Sequence, residues 1–270
     1  MEVIKELVLK AGKILTDYYF KGVSVNFKGA RDLVTEADIT VENFFKEELN
    51  KLYPDVPVVG EESTTGESFK TAFIIDPLDG TTNFAHHYPA FCISIAYVED
   101  NEIQEGWVYN PLLSEFFYGK RGIGAFLNDE KIRVSDTERL KTALLATGFP
   151  YLDQYMPMIL NYFNHVLPHC IGIRRGGSAA LDLCYTACGR FDGFFELGLK
   201  PWDVAAGILF IREAGGVVTD IYGKEAVLYD KHFVASNGLI QRELLELIKK
   251  ADKNYHIFKN YFEVAVLGKD

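Results

Sequence analysis

The chain has 270 residues, of which 48% are hydrophobic, so it is long enough and apolar enough to bury a substantial core. Acidic residues outnumber basic ones by 38 to 28, and the formal net charge of −10 argues against nucleic-acid binding through a basic surface. The longest apolar stretch, near residues 204–211, is too short to span a bilayer, and residues 1–6 are acidic where a secretory signal is basic. We therefore expect a cytoplasmic protein without a membrane-bound segment.

Two amphipathic helices are predicted at the start of the chain. Apolar residues recur at helical spacing between Val3 and Tyr18 and again between Val41 and Leu52, and Thr35 is well placed to cap the second helix. The polar, glycine-containing segment 21–31 between them is predicted to be a hairpin or a mobile loop.

Two short apolar runs are each followed by a pair of acidic residues. Residues 56–59 precede Glu61 and Glu62, and residues 73–75 precede Asp76 and Asp79. We expect both runs to be buried strands with these acids at their ends, Asp76 standing beside a tight turn. Two carboxylates on a short rigid turn suit a hard divalent cation, although such a cluster also occurs in ordinary chain reversals.

The residues that follow this acidic pair favour phosphate. Gly80, Thr81 and Thr82 have small side chains, and their backbone N–H groups at the start of a helix suit a phosphate oxygen. A third acid, Asp203, follows Trp202 at the mouth of a strongly apolar helix, where aspartate is most often a simple N-cap.

The strand pattern changes near the middle of the chain. From residue 91 to residue 127, β-prone runs alternate with turn-like separators, which predicts a mostly antiparallel meander. After about residue 135, strands alternate with helices near residues 155–166, 179–187 and 203–214. This change predicts two lobes, residues 1–134 and residues 135–270.

The cysteines are predicted to be reduced core residues. None belongs to the paired spacing that closes a zinc site, and all fall within predicted strands or helices. They are Cys92, Cys170, Cys184 and Cys188.

In this order the acidic motifs resemble those of the inositol monophosphatase family, which belongs to the lithium-sensitive, magnesium-dependent phosphatase superfamily. The resemblance rests on residues 60–63, 76–84, 202–203 and 213–216, and extends from about residue 10 to residue 250. Residues 172–183 are most similar to the bacterial inositol-1-monophosphatases, also called extragenic suppressor proteins. The family implies an α+β or α/β fold, a layered α-β-α-β-α sandwich of the inositol monophosphatase and fructose-1,6-bisphosphatase type, whose two lobes form one catalytic unit.

Phosphate monoester hydrolysis is among the slowest uncatalysed reactions, and two cations can stabilise both the attacking and the leaving oxygen. Glu61, Asp76, Asp79 and Asp203 supply enough carboxylates for two Mg²⁺ ions, with Asp76 as the bridging ligand. The resemblance implies that Glu61, Asp76 and the Leu78 carbonyl hold the first ion and that Asp76, Asp79 and Asp203 hold the second. It also implies a third, weaker cation near Glu61.

The resemblance further implies that Thr81, oriented by Asp38, aligns a water for in-line attack, with Lys28 near the metal and the phosphate. No covalent nucleophile is needed, which predicts inversion at phosphorus and no phosphoenzyme. Without the resemblance, Asp38 is equally typical of a helix N-terminus and Lys28 of a surface loop.

Recognition of the substrate alcohol is expected from the second lobe. Glu196 ends an apolar stretch and can accept hydrogen bonds from hydroxyl groups. Arg174 is assigned to the substrate and Arg175 to a dimer interface, although both could be surface residues. The full set of predicted substrate contacts is Glu61, Leu78, Asp79, Gly80, Thr81, Thr82, Arg174, Ser178, Ala179, Glu196 and Asp203.

The leading function is magnesium-dependent hydrolysis of myo-inositol monophosphates by a cytoplasmic, lithium-sensitive homodimer. A second possibility keeps the mechanism and changes the substrate to fructose 1,6-bisphosphate, histidinol phosphate or a 3′-phosphoadenosine nucleotide. A third is a binding partner of the transcription machinery that retains phosphatase activity, because bacterial members of the family can act in that way.

Overall fold

The computed structural model describes residues 2–22, 25–27, 33–64, 69–150 and 153–255. Its helices are α1 (Glu2–Lys21), α2 (Glu36–Leu52), α3 (Thr81–Ala85), α4 (Met156–Val166), α5 (Ala179–Ala187), α6 (Pro201–Glu213) and α7 (Gln241–Lys253). Its strands are β1 (Val25–Phe27), β2 (Leu33–Thr35), β3 (Val58–Gly60), β4 (Ala72–Asp79), β5 (Cys92–Glu99), β6 (Glu102–Asn110), β7 (Glu115–Lys120), β8 (Gly124–Leu127), β9 (Glu130–Lys131), β10 (Leu144–Thr147), β11 (Gly172–Arg174), β12 (Gly193–Leu197), β13 (Val217–Thr219) and β14 (His232–Ser236).

The strands form two large sheets and one hairpin. The seven-stranded sheet has the order β3-β4-β5-β6-β7-β8-β9, parallel between β3 and β4 and antiparallel thereafter, which confirms the predicted meander. The five-stranded sheet has the order β11-β10-β12-β14-β13, with β10 parallel to both of its neighbours. β1 and β2 pair antiparallel; β1 lies within the segment 21–31 that was predicted to be a hairpin or a mobile loop, β2 lies beyond it, and residues 28–32 between them are outside the described part of the chain.

Helices and sheets alternate in five layers. Each sheet packs against helices on both of its faces, because successive residues of a buried strand point to opposite sides. In β4, Phe73 and Ile75 pack with α1 and α2, whereas Ile74 packs with α5 and α6 on the other side. In β12, Phe194 joins the layer of α5 and α6, and Phe195 faces α4 and α7. The order is therefore α-β-α-β-α, as the resemblance implied.

Helix α6 lies directly on the seven-stranded sheet because that sheet has a glycine pair beneath it. Gly106 of β6 pairs with Gly119 of β7. A Cβ atom on Gly119 would lie 2.6 Å from Cδ1 of Phe210, and one on Gly106 would lie 3.1 Å from Cβ of Ala206. The missing side chains let α6 approach the strands closely. This packing fixes the distance of the N-terminus of α6 from the seven-stranded sheet.

The predicted cap of α2 is confirmed. Ala37 N donates to Thr35 Oγ1 at 3.2 Å, while Thr35 donates through its backbone N and its hydroxyl to Asp38 Oδ2 at 2.8 and 2.6 Å. This capping box satisfies donors that the first turn of a helix otherwise leaves unpaired, and it locks the Asp38 side chain.

Three further predictions concern the chain as a whole. All four cysteines are free; Cys92 and Cys184 are buried as predicted, whereas Cys170 and Cys188 are half-buried at the ends of helices and are not core residues. No helix among the described residues combines the length and the apolar character needed to cross a bilayer. The lobe boundary at residue 134 stays a prediction; β9 of the first large sheet ends at Lys131 and β10 of the second begins at Leu144.

The Gly119→Ala substitution should lower the free energy of unfolding by about 1–3 kcal/mol, because the new methyl group overlaps the Phe210 ring. Urea denaturation followed by circular dichroism measures this loss. Adding Phe210→Leu to Gly119→Ala should cost less than the sum of the two single substitutions, since the smaller side chain makes room for the methyl group. Additive losses would show that the contact between Gly119 and Phe210 does not limit the approach of α6.

Candidate active site

The predicted acidic motif lies in β4, but the strand does not end where the sequence suggested. We expected Asp76 to end the strand before a turn; β4 instead continues through Asp79. Its pairing with β5 slips after Asp76 and resumes at Asp79, because Pro77 has no N–H group to donate and Leu78 N donates to Asp76 Oδ1 at 3.0 Å. An irregularity of this kind changes the direction in which side chains point, and it brings Asp76 and Asp79 to the same region.

Two acids from other elements reach the same region. Glu61 follows β3, the parallel neighbour of β4, and its backbone N donates to Ile75 O at 3.2 Å. Asp203 lies in the first turn of α6, where its Oδ2 accepts the Lys200 N–H at 2.7 Å. Lys200 is the N-cap of α6, so Asp203 is not the simple N-cap that its position suggested; it accepts the N–H of the N-cap from the third position of the helix and also takes part in the acidic cluster.

The electrostatics of these groups show their proximity. Burial raises the pKa of Asp76 well above its usual value, and the charges of Glu61, Asp79 and Asp203 raise it further. Burial likewise raises the pKa of Asp203, with Glu61 and Asp79 adding to the effect. We call Glu61, Asp76, Asp79 and Asp203 the acidic cluster.

Asp79 is the best-supported member of the cluster. Ser178 Oγ and Ala180 N donate to its Oδ2 at 2.6 and 2.7 Å. Burial raises the pKa of Asp79 to about 6, although these hydrogen bonds and the charge of Arg175 oppose the rise. Ionisation of Asp79 in the folded protein therefore costs free energy in spite of these favourable contacts.

The donor set of the acidic cluster fits Mg²⁺, which prefers carboxylate oxygens. In the described part of the chain, no three acidic, histidine or cysteine side chains stand close enough, as placed, to enclose one ion. Neighbouring carboxylates nevertheless add to the burial that raises the pKa of Asp76 and of Asp203, so a divalent cation would relieve this repulsion. Small side-chain movements toward a shared ion would lower the free energy of the cluster.

Thr81 and Asp38 lie together, as predicted. Thr81 begins α3 after Gly80, whose φ of +95° a side chain would strain. The Thr81 hydroxyl lies 3.1 Å from Asp38 Oδ1 and 3.0 Å from the Leu78 carbonyl oxygen, and it donates to this pair of acceptors. Thr82 follows in the first turn of α3. Lys28 lies outside the residues that the structure describes.

A cavity of about 280 Å³ opens beside three members of the cluster, Glu61, Asp79 and Asp203. Ser178 and Ala179, at the start of α5, line it, and so does the predicted Glu196. The Ser178 hydroxyl accepts the Leu181 N–H at 3.2 Å and caps α5 while it donates to Asp79. The remaining polar residues of the wall are Arg175, Asp182 and Lys200.

The cavity also shows what the sequence interpretation missed. Both arginines are exposed, but Arg175 lines the cavity, whereas Arg174, which the prediction assigned to the substrate, ends the edge strand β11 and does not. The geometry thus favours Arg175 for a contact with substrate. Asp182 was not predicted, although an acid one turn after the Ser178 cap in an otherwise apolar helix is the signal that could have found it.

The comparisons with known proteins agree with this geometry. Residues 1–255 match the model of the inositol monophosphatase family. The chain is 41% identical to an inositol-1-monophosphatase of Mesorhizobium japonicum, covering 93% of this chain and 96% of that protein. It is 41% identical to the Nus factor SuhB of Pasteurella multocida, covering 89% and 92%.

A third relative is the fructose-1,6-bisphosphatase/inositol-1-monophosphatase of Thermotoga maritima, 39% identical over 91% of this chain and 94% of that protein. Among solved structures, the extragenic suppressor protein SuhB of Bartonella henselae superposes with a TM-score of 0.87 at 43% identity, covering 93% of this chain and 98% of the other. With the family model matched over nearly the whole described chain and the acidic motifs gathered at one cavity, the chain belongs to the inositol monophosphatase family of phosphatases.

Proposed function

We propose that the protein hydrolyses myo-inositol monophosphates to inositol and phosphate in a reaction that depends on Mg²⁺. The observation that carries this proposal is the acidic cluster, in which four carboxylates from three separate segments act on one another beside a cavity. An anionic phosphate would not enter such a site without cations to offset the carboxylates. Family membership supports the phosphatase activity, and the substrate and the metal are our inference.

Glu61, Asp76 and the Leu78 carbonyl would hold one Mg²⁺, and Asp76, Asp79 and Asp203 a second, with a weaker third ion near Glu61. When bound, the ions supply an acidified water and neutralise the charge of the phosphate and leaving oxygens. Hydrogen bonds restrain three of these carboxylates, since Leu78 N, Ser178 Oγ and Lys200 N donate to Asp76, Asp79 and Asp203, respectively, and small movements would complete the ligand set.

Thr81 and Asp38 would orient the attacking water. The Thr81 hydroxyl hydrogen is directed to Asp38 and to the Leu78 carbonyl, so the lone pairs of Oγ1 can accept a hydrogen bond from that water. Asp38 is fully buried and is held by Thr35, so the pair keeps its geometry. Water attacks directly in this scheme, and inversion at phosphorus follows without a phosphoenzyme. Lys28 would lie near the phosphate.

The alcohol would bind at the far wall of the cavity. Glu196, in β12, can accept hydrogen bonds from inositol hydroxyls. Ser178 and Ala179 border the same space at the N-terminus of α5, and Arg175 supplies a cation that partly balances the acids. We further propose lithium sensitivity, a cytoplasmic location and a homodimer, on the strength of family membership.

Asp203→Asn should lower kcat with inositol 1-phosphate by about 100-fold or more. Substitution of residues that merely hydrogen-bond to metal ligands already lowers metal affinity or activity about 10- to 100-fold. Asp79→Asn should behave similarly, while Asp129→Asn, at an exposed ion pair with Lys5, serves as the matched control. Phosphate release is measured with Mg²⁺, with Mg²⁺ plus Li⁺, and after chelation. Undiminished turnover by Asp203→Asn or by the chelated enzyme would refute the proposed cation site.

The metal-free protein should lose stability as the pH rises from about 4 to above 6. The unfolded chain releases the Asp79 proton near pH 3.8 and the folded chain at a pKa of about 6, so the folded state binds more protons in this window. Asp79 alone accounts for at most about 3 kcal/mol of this loss, and the raised pKa values of Asp76 and Asp203 extend it to higher pH.

Urea denaturation in chelator and in Mg²⁺, at about pH 5 and about pH 7.5, tests this dependence. Mg²⁺ should stabilise the protein more at the higher pH, where it replaces protons on ionised carboxylates. Equal stabilisation at both pH values, or a metal-free protein that gains stability as the pH rises, would contradict the electrostatic account of the acidic cluster.

A second candidate function is binding to the transcription machinery, which the name of the Pasteurella relative, Nus factor SuhB, favours. Tagged wild-type and Asp79→Asn proteins should then retain the same transcription proteins from an extract of the source cells, although the variant no longer turns over substrate. If neither form retains such a protein, the enzymatic function alone is left.

A further inference from the structure

Two buried acids in the cavity have no role in the proposed cation site. Asp182 lies on α5 and Glu196 on β12; their exposed fractions are 3% and 8%. Among the described residues, neither carboxylate has a hydrogen-bond or ion-pair partner, and both residues line the cavity. An unpaired acid buried to this extent is costly, so the pair calls for a partner from outside the chain.

Glycines make the space for both carboxylates. A Cβ atom on Gly176 would lie 2.6 Å from Asp182 Oδ1, and one on Gly148 would lie 2.1 Å from Glu196 Oε1. The two acids are thus seated against bare backbone from two different loops. Their placement depends on the fold itself rather than on a partner side chain.

Arg175 moderates the charge of this wall without pairing with either acid. Burial raises the pKa of Asp182, Glu196 and Asp79, and neighbouring acids raise those of Asp182 and Glu196 further, while the Arg175 guanidinium lowers all three. The described cavity wall has five carboxylates against two cations, Arg175 and Lys200, which leaves an excess of hydrogen-bond acceptors and of negative charge.

We propose that Asp182 is a specificity-determining residue that, together with Glu196, accepts hydrogen bonds from two hydroxyl groups of the substrate alcohol. This inference rests on the proposed function and names its substrate class, the phosphate monoester of an uncharged polyol. Hydroxyl donors satisfy both carboxylates. A second phosphate would be disfavoured, because the acids that line the cavity outnumber its cations, Arg175 and Lys200. An alcohol without hydroxyl groups would leave both acids unpaired.

The experiment compares four esters in the presence of Mg²⁺: myo-inositol 1-phosphate, cyclohexyl phosphate, fructose 1,6-bisphosphate and histidinol phosphate. The wild type should favour inositol 1-phosphate over cyclohexyl phosphate by about 10- to 100-fold in kcat/KM, because hydrogen bonds to charged acceptors are worth that much. Histidinol phosphate tests the alternative hypothesis that Asp182 and Glu196 bind a cationic amine.

Asp182→Ala should raise KM for inositol 1-phosphate about 10-fold or more, leave kcat within about twofold, and leave cyclohexyl phosphate unchanged. Asp182→Asn keeps an acceptor and removes the charge, so it should recover part of the KM loss. It should also raise the turnover of fructose 1,6-bisphosphate relative to inositol 1-phosphate. Asp129→Asn is the exposed control, and melting temperatures report folding.

Equal losses with inositol 1-phosphate and cyclohexyl phosphate would show a merely structural role for Asp182 and overturn the inference. A wild-type preference for histidinol phosphate or for the bisphosphate would overturn it as well. If the wild type hydrolyses none of the four esters, the proposed function itself fails, an outcome that differs from hydrolysis insensitive to Asp182.

Discussion

The constraint on which the rest of the structure depends is the gathering of several buried and half-buried carboxylates in one place without an equal number of protein cations. Glu61, Asp79 and Asp203 raise the cost of ionising Asp76, and Glu61 and Asp79 raise the cost of ionising Asp203, yet the fold keeps these groups together. Four like charges gathered in a weakly screened site repel one another unless cations or protons offset them. Such a cluster is unfavourable for folding and favourable for binding a divalent cation, which indicates that it is kept for its chemistry.

The rigidity of the site comes from the ends of helices. Asp38 and Asp203 lie in the first turns of α2 and α6, and Ser178 caps α5, so each of these side chains has a structural role in addition to its place at the site. The N-terminus of a helix favours negative charge and offers free N–H groups, which lowers the cost of holding acids there. The packing of α6 on Gly106 and Gly119 then fixes the position of Asp203 relative to the end of β4.

The cavity combines two regions of different character. Toward β4 it presents the acidic cluster, which suits cations and, through them, phosphate. Toward β12 it presents Asp182 and Glu196 against bare glycine backbone, which suits hydroxyl groups. The N-terminus of α5 joins these regions, because Ser178 and the backbone of Ala180 bind Asp79 while Asp182 follows one turn later. One short segment thus links the proposed metal ligands to the proposed alcohol site, so a displacement of α5 would affect both.

The features of this protein that depend only on residues adjacent in the chain could be predicted from local sequence patterns. Apolar periodicity predicted the helices and the meander, Thr35 was identified as a cap, and the order of the acidic motifs indicated the family, because these features need only a few adjacent residues. The sequence did not show that β4 continues past Asp76, that Arg175 rather than Arg174 faces the cavity, or that Asp182 lies opposite Glu196. Those outcomes depend on strand register, on the twist of an edge strand and on glycines distant in sequence that leave room for a carboxylate, and contacts between distant segments are formed only by the folded chain.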